Sequence, residues 1–330
     1  MLSRRGPIVI RSRRRRLLAL ALSLSGVAGC SGGFGDSSRT AEPFAKADYL
    51  VTPIPSDAVI DPRSAQIVDQ LTTDPNPAAA LLVEYGIPIV EADVDTPVVS
   101  ITCTAQRDEI CGVESVAPIR IPEDAAPNTG TDGALVVVDT DAGRTYELWR
   151  AERVSASEWS VEWGSTNELD GDGITTSGGS GSGLSRLVGI VRIDELRNGA
   201  IDHAIAVSSS ETCTSEWRDP AWSSDGRRDG PHCVPMGARL QLDPTIDLDG
   251  LELRPGERIV AEALQEYGAY VVDSGASLIS VFFELEPPTP GNELGEVLTD
   301  LGFRWDYDPL DGIPWERLEM LQNWDGSDDT

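Results

Sequence analysis

Positive charge is scarce in this chain. Against 55 aspartates and glutamates stand 26 basic residues, Lys46 being the one lysine, and the formal net charge is −29. Such a surface repels nucleic acid and anionic lipid headgroups, so neither is an expected partner. Histidine is nearly absent too, with His203 and His232 alone. With so few imidazoles and no CxxC pair, disulfides are expected over zinc. A P-loop is excluded, because Leu184-Ser185 rather than Lys-Ser or Lys-Thr follows the glycine-rich run Gly178-Gly179-Ser180-Gly181-Ser182-Gly183. No G-x-S-x-G elbow can be drawn around Ser180 or Ser182, and the run reads as a mobile surface loop. Long apolar stretches are missing as well. Leu17 to Ala28 is too short for a bilayer span, which needs about 20 residues.

What that stretch does suit is a cleaved signal peptide. Arg11 and Arg13 to Arg16 form a basic start, and the small residues Ala28 and Gly29 precede Cys30. This arrangement resembles the bacterial lipoprotein signal, in which the cysteine is lipidated and becomes the first mature residue. The arginine run also permits twin-arginine export. The resemblance implies a cleaved segment 1–29, an extracytoplasmic protein lipid-anchored to the cell membrane, and a flexible Gly/Ser-rich tether over 30–42. Residues 1–29 hold seven arginines and no acid, so the remainder has 19 basic and 55 acidic residues, a net charge of −36. Attachment must then come from the lipid, and two acyl chains suffice for stable anchoring.

Four further cysteines, an even number, suit an oxidising compartment. They allow three pairings, of which proximity favours Cys103–Cys111 and Cys213–Cys233. One β-rich domain is expected over 43–322, with an acidic disordered tail at 323–330. Helices are expected over Ser64 to Leu71 behind Asp61-Pro62, over Ala78 to Tyr85, over the apolar face of Pro255 to Tyr267, and over Leu294 to Leu301. β-Branched runs at Thr96 to Thr104, Ala134 to Asp139, Leu187 to Ile193, Ala238 to Leu242, Ala269 to Asp273 and Leu278 to Leu285 read as strands. Thr145 to Ala151 and Glu158 to Trp163 read as a hairpin, and Ile201 to Val207 alternates with period two. The expected class is mainly β (α+β): an antiparallel β-sandwich or jelly-roll-like domain with a few peripheral helices.

A motif series adds to this. Asp139 and Tyr146-Glu147-Leu148-Trp149 are followed by Thr176-Ser177, Gly183-Leu184 and Gly199-Ala200-Ile201-Asp202-His203-Ala204. Pro235-Met236-Gly237-Ala238-Arg239-Leu240, Tyr267-Gly268 and Asp273-Ser274-Gly275 complete it. The order resembles a large group of secreted bacterial proteins without assigned activity, over about residues 60–290. The resemblance implies a β-sandwich-like fold and an association with glycans, and it transfers no catalytic residue.

Three chemistries follow for testing. Glycan hydrolysis or lysis needs paired carboxylates, and Asp139, Glu147 and Asp273 are the candidates, with His203 assisting. Carbohydrate binding without catalysis would use flat indoles at strand ends and loops, Trp163, Trp217 and Trp222, with Thr176 and Ser177 beside them. Calcium is the one cofactor weighed, at Asn167, Asp170 and Asp172 before Gly173, with a parallel run at Asp243, Asp247 and Asp249. Neither run has the terminal glutamate of an EF-hand loop, and both read as Asx turns. Binding of an extracellular or envelope polysaccharide is the leading expectation. The alternatives are the hydrolase or lyase, and a structural or protein-interaction role at the envelope.

Overall fold

A computed structural model describes residues 43–44, 47–104, 112–113, 118–175 and 178–322. Cys30, the signal segment, the tether, Cys111, Thr176, Ser177 and the acidic tail lie outside the described residues. Among those described, no helix is long and apolar enough to cross a membrane.

The fold is mainly β, with mixed sheets. The largest has the order β1 (Ala78–Leu81), β15 (Ile279–Phe282), β10 (Ile205–Ser209), β14 (Ala269–Ser274), β13 (Arg239–Leu242) and β16 (Leu318–Met320). A second has the order β2 (Ile89–Ala92), β5 (Leu135–Asp139), β6 (Arg144–Trp149) and β9 (Trp163–Glu168). A third joins β4 (Ile119–Arg120), β3 (Val98–Cys103), β8 (Glu158–Val161) and β7 (Glu152–Ser155). Finally β11 (Thr212–Trp217) pairs with β12 (Val234–Met236), and Cys213–Cys233 is disulfide-bonded beside that ribbon.

Alternation along the strands sorts residues among three cores. In β5, Val136 and Val138 enter one core while Leu135 and Val137 enter another, so the strand is buried on both faces. The first of these cores also takes Ala206, Tyr270 and Val272 from the largest sheet. The opposite face of that sheet packs Val207, Val271 and Val281 against α2 (Ser64–Leu71), α3 (Ile193–Asn198) and α4 (Pro255–Glu266). In α4, Pro255 stands at the first turn and Glu257 accepts from the Arg254 N–H at 2.8 Å. Glu257 thereby caps one orphaned donor at the start of the helix, and its carboxylate also accepts from the Arg254 guanidinium.

Several expectations are corrected. Ala78–Leu81 is a strand, because parallel pairing with β15 buries it on both faces and tertiary contact outweighs alanine's helix preference. The hairpin is β7–β8 instead of β6–β8. The Arg150 and Ala151 N–H groups are held by Asp132 O and Gly133 O at 2.7 and 2.9 Å, which turns the chain away after Trp149. Leu187 to Val191 is a buried run of turns between two cores, after which α3 begins. Strand β10 starts only at Ile205, since the Ala204 N–H is bonded to Leu50 O at 2.8 Å. The sheets are mixed rather than antiparallel throughout: β1–β15, β10–β14, β2–β5, β3–β8 and β11–β12 are parallel, while the other seven strand pairs are antiparallel.

Candidate functional site

The glycine-rich run is packed rather than mobile, with Ser182 and Gly183 buried. Three of its glycines each abut a different bulky group. A Cβ on Gly179 would lie 2.1 Å from Glu147 Oε2, one on Gly181 2.1 Å from Asp225 Oδ1, and one on Gly183 2.2 Å from Trp222 Nε1. A side chain at any of these points would require its neighbour to shift. Two indoles hold the ends of the run. Trp163 Nε1 donates to Gly178 O at 2.9 Å, and Trp222 Nε1 donates to Thr175 O and Gly183 O at 2.9 and 3.1 Å.

Beneath Gly179, Glu147 is 2% exposed. Its carboxylate accepts from Ser165 Oγ, Asn167 Nδ2 and the Arg186 N–H at 3.0, 2.8 and 2.9 Å, from Thr145 Oγ1 at 3.4 Å, and from Ser185 Oγ. Five donors leave this carboxylate satisfied, and they tie β6 and β9 to the run above.

Beneath Gly181, Asp225 and Asp273 converge. The Ser274 N–H donates to Asp225 Oδ1 at 3.2 Å and to Asp273 Oδ1 at 3.0 Å, while the Gly181 N–H donates to Asp273 Oδ1 at 3.2 Å. Ser274 Oγ completes the set by donating to Asp225 Oδ2 at 2.6 Å. Burial first, then the neighbouring Asp225 charge, pushes Asp273 up to about 7. Arg186, which lines a cavity with Ser180 and Asp273, opposes this rise with its charge. That cavity measures about 10 Å³, room for one water and not for a sugar. On the solvent side the surface is more open. A cavity of about 290 Å³ is lined by Ser210, Thr212, Arg227, Ser274, Gly275 and Ala276.

Glu147, Asp273, Trp163 and Trp222 are thus gathered around one loop, and the remaining candidates stand apart. Asp139 belongs with Leu135 and Val137 on the opposite face of the sheet from Glu147, which pairs with Val136. It is ion-paired to Arg120 at 3.0 Å and accepts from the Ala142 N–H at 2.9 Å, a turn-closing role. His203 has Nε2 2.9 Å from Glu195 Oε1 and Nδ1 2.9 Å from Ala204 O, which binds it to α3. Trp217 ends β11 and is 48% exposed.

Two of the calcium candidates, Asn167 and Asp172, are engaged within the protein. Asn167 turns its amide toward Glu147, and Asp172 Oδ1 caps the Ile174 N–H at 3.0 Å in an Asx turn. Asp243 and Asp247 close similar turns on Thr245 and Asp249. Two acidic groupings among the described residues have metal-like spacing. One contains the disulfide sulfurs of Cys213 and Cys233, and in the other Asp308 and Asp311 are bridged by Arg254 and Arg304.

Asp225 and Arg227 are absent from the residues singled out by sequence. The signal that could have found the carboxylate is the Gly-x-Gly-x-Gly spacing itself, which marks close approach by bulky partners. No family model matches this chain, and no curated protein or solved structure matches it either.

Proposed function

We propose that this protein is a lipid-anchored, extracytoplasmic, noncatalytic binder of polysaccharide, and that its contact surface is the strip from Trp222 to Arg227. The observation that carries this reading is the state of Trp222. Its indole is 44% exposed although its N–H is spent on Thr175 O and Gly183 O. A ring pinned by its edge keeps a fixed plane and loses little freedom when a sugar stacks on its face. Within five residues of the indole stand the exposed Asp225 and Arg227, a reach of at most about 17 Å. Carboxylate and guanidinium are the planar groups that pair with neighbouring hydroxyls, and the 290 Å³ cavity beside them opens to solvent. The disulfide at Cys213–Cys233 closes the loop that carries the strip, which suits an oxidising compartment.

Binding is tested by co-sedimentation of the purified protein with cellulose, chitin, xylan and peptidoglycan sacculi, alongside an oligosaccharide array. Retention on at least one polymer, lost in Trp222→Ala, is the expected result. Absence of retention on all of them, or retention untouched by that substitution, would remove the reading.

A second reading, glycan hydrolysis at the same strip, is favoured by the Asp225–Asp273 pair. An aspartate raised to about 7 is partly protonated at neutral pH, as a general acid must be. New reducing ends released by the wild type and abolished in both Asp273→Asn and Asp225→Asn would establish it. Binding without release would leave the noncatalytic reading.

A further inference from the structure

Arginine is almost entirely committed in this protein, as its excess of acids would lead one to expect. Every other described arginine holds an ion pair or a backbone carbonyl. Arg227 is the exception: among the described residues its guanidinium has neither. It is not unplaced, however. Its backbone N–H is bonded to Thr212 O at 3.1 Å, and the residue lines the 290 Å³ cavity with Ser210, Thr212 and Ser274.

The nearest acids are already engaged. Asp225 is held by Ser274, and Glu211 is paired with Arg228 at 2.7 Å. Asp229 follows on the exposed turn. The cavity is thus lined by hydroxyl-bearing residues and by an arginine whose guanidinium has no ion pair among the described residues. A guanidinium matches a carboxylate through two parallel hydrogen bonds. Acids beyond about 8 Å weigh little at physiological ionic strength, where their field is screened, while Asp225 and Asp229, two residues to either side, oppose an anion and limit its affinity. A dianionic phosphate would meet more repulsion from a molecule of this net charge than a monoanion does.

We infer that the Arg227 cavity selects a sugar bearing a carboxylate, so that the polysaccharide bound along the strip contains hexuronic acid. This rests on the polysaccharide-binding reading above. Ring stacking at Trp222 gives affinity, and the Arg227 fork gives the preference for an acidic residue within reach of it.

The test compares polygalacturonate with the same polymer after carboxyl reduction, using purified wild-type protein, Arg227→Gln, Arg227→Lys and Trp222→Ala. Wild type should bind the acidic polymer about tenfold more tightly at 50 mM NaCl, with the ratio narrowing at 500 mM. Arg227→Gln should bring the two polymers level while keeping the wild-type melting temperature. Arg227→Lys should retain part of the preference, because the charge remains and the fork does not. Equal binding of both polymers by wild type would overturn the inference, as would a preference that survives Arg227→Gln. If neutral polymers bind through Trp222 without acidic preference, the strip stands and the inference fails. If no polymer binds, both fail.

Discussion

Asp225 and Asp273 accept from one donor, the backbone N–H of Ser274, at 3.2 and 3.0 Å. Two carboxylates so placed repel when both are ionised, and burial adds to the cost for Asp273. In the folded protein Asp273 therefore titrates at about 7, against about 3.9 unfolded. Between these values the native state binds more protons, so this contribution to stability is complete below about pH 4 and is lost as pH rises toward 7. Urea denaturation from pH 4 to 8 should show wild-type stability falling relative to Asp273→Asn across that window. Parallel profiles for the two proteins would contradict the pairing.

The packed glycines give an ordered prediction. At Gly179 an added methyl meets the fully bonded Glu147 carboxylate and the backbone at Leu184 O and Arg186 N, at 2.1, 2.9 and 3.0 Å. At Gly181 it meets Asp225, an exposed side chain that can swing away, before the buried-side Asp273. Gly179→Ala should thus cost about 3 kcal/mol and Gly181→Ala about 1–2 kcal/mol, the range of overpacking. Gly143, with nothing within 4 Å but φ at +64°, should lose only about 1 kcal/mol from backbone strain. Thermal melts of the three variants check the order.

How much of this was readable in advance depended on how local the cause is. Helix α4 was legible because Pro255, Glu257 and the apolar spacing of Ile259, Val260, Ala263 and Leu264 all lie within one segment. Ala78–Leu81 was not, since its partner Ile279–Phe282 lies near the other end of the chain and alanine alone argues for helix. The packing of the glycine-rich run is hidden from sequence for the same reason. Its glycines answer to Glu147, Trp222 and Asp225, none of which is a sequence neighbour. Glu147 and Asp273 were legible as carboxylates within the motif series. That they are gathered under one loop while Asp139 faces away could only come from strand register.

Arg239 supplies a test of the interior. It is 2% exposed and donates to Tyr267 O at 2.7 Å, to Tyr49 O, Thr52 O and Tyr270 Oη at 3.1 Å, holding α1 (Asp48–Val51) against β13. Burial pushes its guanidinium down to about 10. Arg239→Met would keep the bulk and take this donor from Tyr267 O and Thr52 O, while Tyr270 Oη still donates to Tyr49 O at 3.1 Å, at a cost of about 3 kcal/mol. A calorimetric melt within error of wild type would show that water replaces the guanidinium.

The proposed anchor is tested separately from the fold. Mass spectrometry of the membrane-associated protein should show a diacylglyceryl group on Cys30 as the first residue, and Cys30→Ser should move the protein to the soluble fraction. Persistence of Cys30→Ser in the membrane would require another means of attachment.

The central claim concerns Trp222, the exposed ring pinned over the packed glycines. Isothermal titration well below the melting temperature, which falls as Thr175 O and Gly183 O lose this donor, should show Trp222→Ala at least about tenfold weaker than wild type for the oligosaccharide that binds best, as for a principal contact residue. An affinity within twofold of wild type would contradict the assignment of the binding surface.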